Sequence, residues 1–223
     1  AELRQGNFSG ALSVVGESAI SVHYRLWGKS GEQLGTATLE DSFKRIATNH
    51  SILSDLDEIL EWAATETRIS GIPADLSFPC TFELHAQYSN VDIKAALGLA
   101  TLESAGQTGV GVLHFRDVKV YALLITFQKT EREFSPSTMY ADYPISRELL
   151  HWESQSNTTQ NSDTGQNLIN HRKRGYSILI FARDVKKRDG ITVPFSYLGP
   201  ADLDDYERER PIKVIWRLRY PMP

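Results

Sequence analysis

The stretch TGVGVLHFRDVKVYALLITFQK, Thr108 to Lys129, is where the pattern of the chain changes, and its reading decides the fold. Its apolar residues form two β-type runs, TGVGVLHFRDV and KVYALLITFQK, which predict a hairpin turning around Arg116 to Lys119. Upstream the period is helical. LEDSFKRIATNH and SILSDLDEILEWAATETR place Leu53, Leu56, Ile59, Leu60 and Ala63 at three- and four-residue spacing, with Ser51 or Ser54 as the expected cap. SNVDIKAALG reads as a compact helix that opens at Ser89, carries Asp92 in its first turn and stops at Gly98. Downstream come further strand candidates: LLHWESQS, YSILIFARDV, VPFSYLGPADL and IKVIWRLRY. Between the first two lies a polar excursion holding a short helix over TGQNLINHRK. The expected class is α+β, with a mainly helical subdomain over 1–100. A twisted, barrel-like sheet of about six strands follows over 101–223.

At 223 residues and 41% hydrophobic content the chain has enough apolar surface for a sizeable core. Its single cysteine, Cys80, excludes an intramolecular disulfide and a cysteine-cluster zinc site, a usage that fits a reducing cytoplasm. No run approaches the roughly 18 apolar residues of a membrane span, and no membrane partner is expected. The chain begins without Met and stops at YPMP, so it is expected to be part of a longer protein. The net charge is −4, which argues against indiscriminate coating of nucleic acid. The charge is unevenly spread, however. Residues 1–100 hold 7 Lys/Arg and 13 Asp/Glu, whereas residues 101–223 hold 17 and 15. HRKRGYSILIFARDVKKR, His171 to Arg188, carries seven basic residues against Asp184 alone. Such an edge permits contact with nucleic acid without requiring it, and on charge alone a solvated face is the better reading.

Much chemistry is absent. There is no GxxxxGK[ST] loop, no GxGxxG after a strand, no HExxH and no GxSxG elbow. The six histidines are scattered without a ligand set, so neither metal nor cofactor is expected. Glu131 and Glu133 lie two apart in a polar loop and read as solvated.

LLHWESQSNT, Leu149 to Thr158, is an unusual strand because neither face is cleanly apolar. Leu150, Trp152, Ser154 and Ser156 share one side, and Leu149, His151, Glu153 and Gln155 the other. Taken with HAQYSNVDIKAALG, FSPSTMYADYPIS, DTGQNLINHRKRG, ILIFAR, PFSYLGPADL and RPIKVIWRLRYPMP, it gives a series of segments in order. By these segments the chain, from about residue 83 onward, resembles the family catalogued as domain of unknown function 3427. The resemblance implies a C-terminal module of larger prokaryotic proteins that carry a superfamily-two helicase motor and often a phospholipase-D-type nuclease. In modification-dependent restriction enzymes of that build, the module is assigned the reading of methylated cytosine. Its implied fold is similar to the SRA class of base-flipping modules among the PUA-like barrels. The implied partners are double-stranded DNA carrying a modified cytosine and the helicase and nuclease domains of the parent chain.

A pocket for an extruded base needs aromatic walls, polar groups for the Watson–Crick edge and an apolar niche for the methyl. On that resemblance, Tyr140, Tyr143 and Trp152 are the expected walls, Asp142, His151 and Gln155 the polar groups, and Met139 the niche. Arg172, Lys173 and Arg174 are expected at phosphates, with Asn170 and His171 adding neutral hydrogen bonds. Gln166 and Asn167 would suit a segment that fills the gap left by a flipped base. Each residue has a plainer reading: Trp152 as core, His151 as a satisfied sheet residue, Asp142 as a loop cap. Strand alternation sets Trp152 against His151 and Gln155, so both sets serve one ligand only across a bulge. Two other functions compete. One is a protein-interaction or homodimer module with an apolar seam of Trp216, Tyr220 and Phe195. The other is a base-modifying enzyme using His151 and Glu153 as an acid–base pair.

Overall fold

The computed structural model describes residues 38–66, 82–99, 111–129 and 141–223. The chain forms two compact units, residues 1–70 with 91–107 and residues 71–90 with 108–223.

The first unit is helical over its described residues. Helix α1 spans Leu39–Ala47, and Thr38 caps it by accepting a hydrogen bond from the Asp41 N–H at 3.0 Å. Helix α2 spans His50–Glu66. Its cap is neither Ser51 nor Ser54: Asn49 Oδ1 accepts from the Ile52 N–H at 3.2 Å, and the helix starts at His50, two residues earlier than a Ser51 cap would place it. Leu53 is buried as expected, but Ile59 is exposed, as are Ile52 and Trp62. Helix α3, Asn90–Ala96, buries Ile93 and Ala95. It ends where Gly98 takes φ 80° and the Leu99 N–H returns to the Lys94 carbonyl at 2.8 Å.

The second unit is built on an eight-stranded sheet. Strands β2 (Val112–Phe115), β3 (Val120–Thr126), β4 (Tyr143–Pro144) and β5 (Leu149–Glu153) precede two short helices, α4 (Asp163–Ile169) and α5 (His171–Arg174). Strands β6 (Ser177–Arg183), β9 (Phe195–Glu207) and β10 (Lys213–Leu218) follow, and β7 (Lys187–Arg188) pairs with β8 (Ile191–Thr192) as a separate ribbon. The spatial order is β2-β3-β6-β9-β10-β5-β4, with β1 (Gln87–Tyr88) joining β9 at Phe195 and Ser196. Among the described strands only β3 and β6 run parallel, and they are buried on both faces, as their near-continuous apolar sequences YALLI and ILIFA require. The α+β expectation holds. The sheet has more strands than the six read from sequence and is open, with β2 and β4 at its ends.

Strand β9 is the spine of this sheet. Between Ile180↔Gly199 and Phe181↔Tyr197 it holds one extra residue, Leu198. Between Ile215↔Asp205 and Trp216↔Leu203 it holds a second, Asp204. Each bulge bends the strand and increases its twist. Gly199 has φ 93°, and a Cβ there would press on Leu84 and Tyr220.

The curvature is large. Lys129, just past β3, and Asp142, which bonds to β5, meet at 2.6 Å although β6, β9 and β10 lie between those strands. Four strand spacings in a flat sheet would separate them by about 19 Å, so the sheet curls on itself. The curl encloses Tyr121, Leu123, Ile178, Ile180, Leu150, Trp152, Val214 and Trp216, and Leu168 of α4 joins that core. Phe82, Tyr88, Phe181 and Tyr197 form a second aromatic cluster, with ring centroids 4.8–6.3 Å apart.

Candidate functional site

Two polar clusters stand out on the sheet unit. The first lies where β4 meets β5. His151 is directly opposite Tyr143 in the antiparallel register, and the two rings stack at 4.5 Å and 11°. His151 is buried, whereas Tyr143 is 48% exposed. His151 Nδ1 lies 2.7 Å from the Ala141 carbonyl, so Nδ1 carries the hydrogen. Two residues along the same strand face, Glu153 Oε2 accepts from the Ala141 N–H at 3.1 Å. Ala141 is thus held at both its backbone polar groups by side chains of β5.

Asp142 sits behind this pair, 8% exposed. Its Oδ2 receives Lys129 Nζ at 2.6 Å, and its Oδ1 accepts from the Glu153 backbone N–H at 3.0 Å. Burial pushes the Asp142 carboxyl up, against the pull of the Lys129 ammonium and the Glu153 N–H. Both oxygens are engaged inside the protein, so Asp142 serves the architecture of the site and does not present an edge to a ligand. Trp152 is likewise withdrawn. It is 3% exposed, on the strand face opposite His151, and packs in the core with Trp216 at 6.3 Å. A ring buried on all sides offers no open face for stacking, so strand alternation removes Trp152 from the pocket walls. Gln155 lies half-buried just beyond the end of β5. Met139 and Tyr140 lie outside the described residues.

His151 and Glu153 each bond to the backbone of Ala141, one to its carbonyl and the other to its N–H. Of the apolar seam, Trp216 and Phe195 are buried, and Arg183 covers the Phe195 ring at 4.1 Å.

The second cluster surrounds α5. Its basic residues do not act as a uniform patch. Arg172 grips Asp202 through two contacts, Nε to Oδ1 at 2.9 Å and Nη2 to Oδ2 at 2.8 Å. Arg219 grips the same carboxylate through Nε to Oδ2 at 3.0 Å and Nη2 to Oδ1 at 3.2 Å. Hydrogen bonds from Arg172, and then from Arg219, hold the Asp202 carboxyl well below the usual carboxylate range. Arg174 donates to Asn167 Oδ1 at 2.8 Å, and Asn167 donates to the Tyr121 hydroxyl at 3.2 Å. Asn170 donates to Gln166 Oε1 at 2.9 Å, while Gln166 Nε2 reaches the Gln160 carbonyl. Asn167 and Gln166 therefore secure α4 from within and are not poised to enter a duplex. Lys173 is exposed.

The register of α4 depends on Gly165, where a Cβ would collide with the Thr159 carbonyl, and on Ser162, whose Oγ accepts from the Gly165 N–H at 3.1 Å. Asp202 and Arg219, absent from the sequence reading, come from β9 and from just past β10. Sequence spacing does not link them to Arg172, although three charged residues beside apolar strand runs were a signal.

His171 is 3% exposed and is not a surface donor. Its Nδ1 lies 3.2 Å from the Tyr176 carbonyl, and its Nε2 accepts from the Leu203 N–H at 3.2 Å. Only the neutral, Nδ1-protonated ring satisfies both contacts, and burial pushes its pKa down. The unfolded chain therefore binds a proton near the ordinary histidine value that the folded chain refuses. This contribution to stability is complete above about pH 6.5 and is lost as the pH falls below it, by up to about 1.4 kcal/mol per pH unit. Urea unfolding midpoints at pH 7.5 and 5.0 are expected to differ less in a His171→Gln variant than in the parent. Equal differences would remove His171 as the source.

Among the described residues no group of three His, Cys, Asp or Glu is placed to hold a metal, and no helix is long and apolar enough to cross a membrane. The architecture defines an α+β module whose curled open sheet carries an aromatic–imidazole pair and an arginine-clamped carboxylate. The chain belongs to the family described as Domain of unknown function (DUF3427), whose profile matches residues 82–223. Among solved structures it is similar to the SUVH5 SRA domain in complex with hemimethylated CG DNA: TM-score 0.43, 14% identity, covering 68% of this chain and 97% of that one. It is also similar to the DNA recognition domain of the cytosine modification-dependent restriction endonuclease LpnPI: TM-score 0.37, 10% identity, covering 65% and 70%. A third is Arabidopsis thaliana SUVH6 in complex with SAM, at TM-score 0.39 and 12% identity, covering 99% of this chain and 40% of that one. No curated protein matches the chain.

Proposed function

We propose that this chain is a DNA-binding recognition module that reads a modified cytosine, 5-methylcytosine in the first instance, by extruding the base from the duplex. The observation that carries the reading is the Tyr143–His151 pair: a 48% exposed ring backed by a parallel imidazole that is itself anchored to the Ala141 carbonyl. The outer face of Tyr143 is a stacking surface for a base, worth about 1–3 kcal/mol, and the His151 ring behind it holds that face in place. Gln155 is a further polar reader, and Met139 and Tyr140 join the proposed pocket on their chemistry. Asp142 fixes the loop end that holds Tyr143, and Trp152 supports the strand from the core side. The module has no catalytic step of its own. Its place is the cytoplasm, as the specificity part of a modification-dependent restriction protein whose helicase and nuclease activities reside in other domains.

Fluorescence anisotropy with matched duplexes, unmodified and 5-methylcytosine-bearing, tests the reading at two salt concentrations. A methyl niche supplies about 1–3 kcal/mol, so the expected preference is roughly ten- to two-hundred-fold. Tyr143→Ala is expected to remove most of it without changing the affinity for unmodified DNA. Equal affinity of the parent chain for both duplexes would refute methyl reading.

A further inference from the structure

The charges around α5 border a cleft of about 410 Å³ between α5, the start of β6 and the β9–β10 end, lined by Arg172, Tyr176, Ser177, Asp202 and Arg219 among others. Its acceptors are spent. The four contacts from Arg172 and Arg219 occupy both oxygens of Asp202, and His171 Nε2 is taken by the Leu203 N–H. Its donors are not. Two of the five N–H groups of Arg172 are used on Asp202, and the side chain is 69% exposed. Lys119 adds a cation at the rim, its Nζ 3.9 Å from where a Cβ on Gly175 would lie. Asp202 offsets one of these three positive charges, so the cleft keeps an excess. A donor-rich, positively charged recess with guanidinium groups already oriented is suited to a tetrahedral anion.

We propose that this cleft is a phosphate site for one phosphodiester of a DNA strand, in which Asp202 is the positioning residue that orients the Arg172 and Arg219 guanidinium groups. The assignment rests on the DNA-recognition reading above. It differs from a diffuse basic edge: Asn170 and Arg174 each give a donor to α4 and His171 is buried, whereas Arg219, distant in sequence, is part of the site.

The test is the dependence of duplex affinity on salt, measured by anisotropy for the parent chain and for Arg172→Gln, Arg172→Lys and Asp202→Asn, each with methylated and unmodified duplexes. Loss of one phosphate contact lowers the slope of log K against log salt by about 0.9, the result expected for Arg172→Gln on both duplexes. Arg172→Lys is expected to keep the slope but weaken binding several-fold, since the ammonium lacks the fork. Asp202→Asn removes a negative charge, so simple electrostatics demands tighter binding; loss of orientation demands weaker binding, several-fold. Circular dichroism establishes that each variant is folded. An unchanged slope in Arg172→Gln, or tighter binding by Asp202→Asn, overturns the site even where methyl preference persists. A reduced slope without methyl preference retains the site and rejects the base reading. Competition by a 5′-mononucleotide at the concentrations of inorganic phosphate that leave binding intact would assign the cleft to a free nucleotide and overturn the backbone role.

Discussion

Replacing Lys129 with methionine is expected to destabilise the sheet unit by about 3–5 kcal/mol, because it strands a buried carboxylate. The Lys129 and Asp142 side chains are only 9% and 5% exposed, and their 2.6 Å contact joins the region beyond β3 to the start of β4. Taking two charges out of water costs several kcal/mol each, which their attraction repays only while both are present. Removing the cation leaves Asp142 with the Glu153 N–H alone. Urea unfolding at neutral pH measures the loss. The double variant Lys129→Met, Asp142→Leu is expected to recover most of it, since an apolar pair of similar volume avoids the desolvation cost. If the single variant lost less than about 1 kcal/mol, the pair would behave as a solvated surface bridge.

Trp152→Ala is expected to cost about 3–5 kcal/mol of stability, the usual toll of deleting a buried aromatic ring from a packed core. Trp152 lies among Leu150, Val214 and Trp216, with no face toward solvent. Trp152→Phe is expected to fold with a smaller loss and to keep the same ratio of affinities for methylated and unmodified duplexes. A changed ratio in a fully folded Trp152→Phe would return Trp152 to the ligand. This pair separates the two faces of β5 experimentally, because Tyr143→Ala, on the other face, is expected to alter the ratio with little change in unfolding midpoint.

The two faces also explain what could be read beforehand. The hairpin at Arg116 to Lys119, α4 with α5, and strands β5, β6, β9 and β10 follow from local patterns of apolar residues, turns and caps, which act within a few neighbours. The LLHWESQSNT stretch announced its own conflict, since Trp152 and His151 cannot face the same way. What no local pattern encodes is which distant charge answers which. Asp142 looked like a base reader because Lys129 lies on the far side of an intervening loop, and the curl that unites them depends on bulges at Leu198 and Asp204. Asp202 was passed over for the same reason: its partners come from α5 and from beyond β10. Charged residues were identifiable as present, but their pairing is a property of the curled sheet.

The parallel junction between β3 and β6 has a consequence for how the molecule is made. Val120 pairs with Ser177 and Thr126 with Arg183, so the ladder cannot form until β4, β5, α4 and α5 have left the ribosome. Closing so long a loop is entropically expensive before any contact rewards it, and non-local pairing of this kind slows folding. Until β6 arrives, the wholly apolar YALLI edge of β3 has only β2 beside it. Synthesis at lower temperature or with chaperones is therefore expected to raise the soluble yield more than any change at the surface.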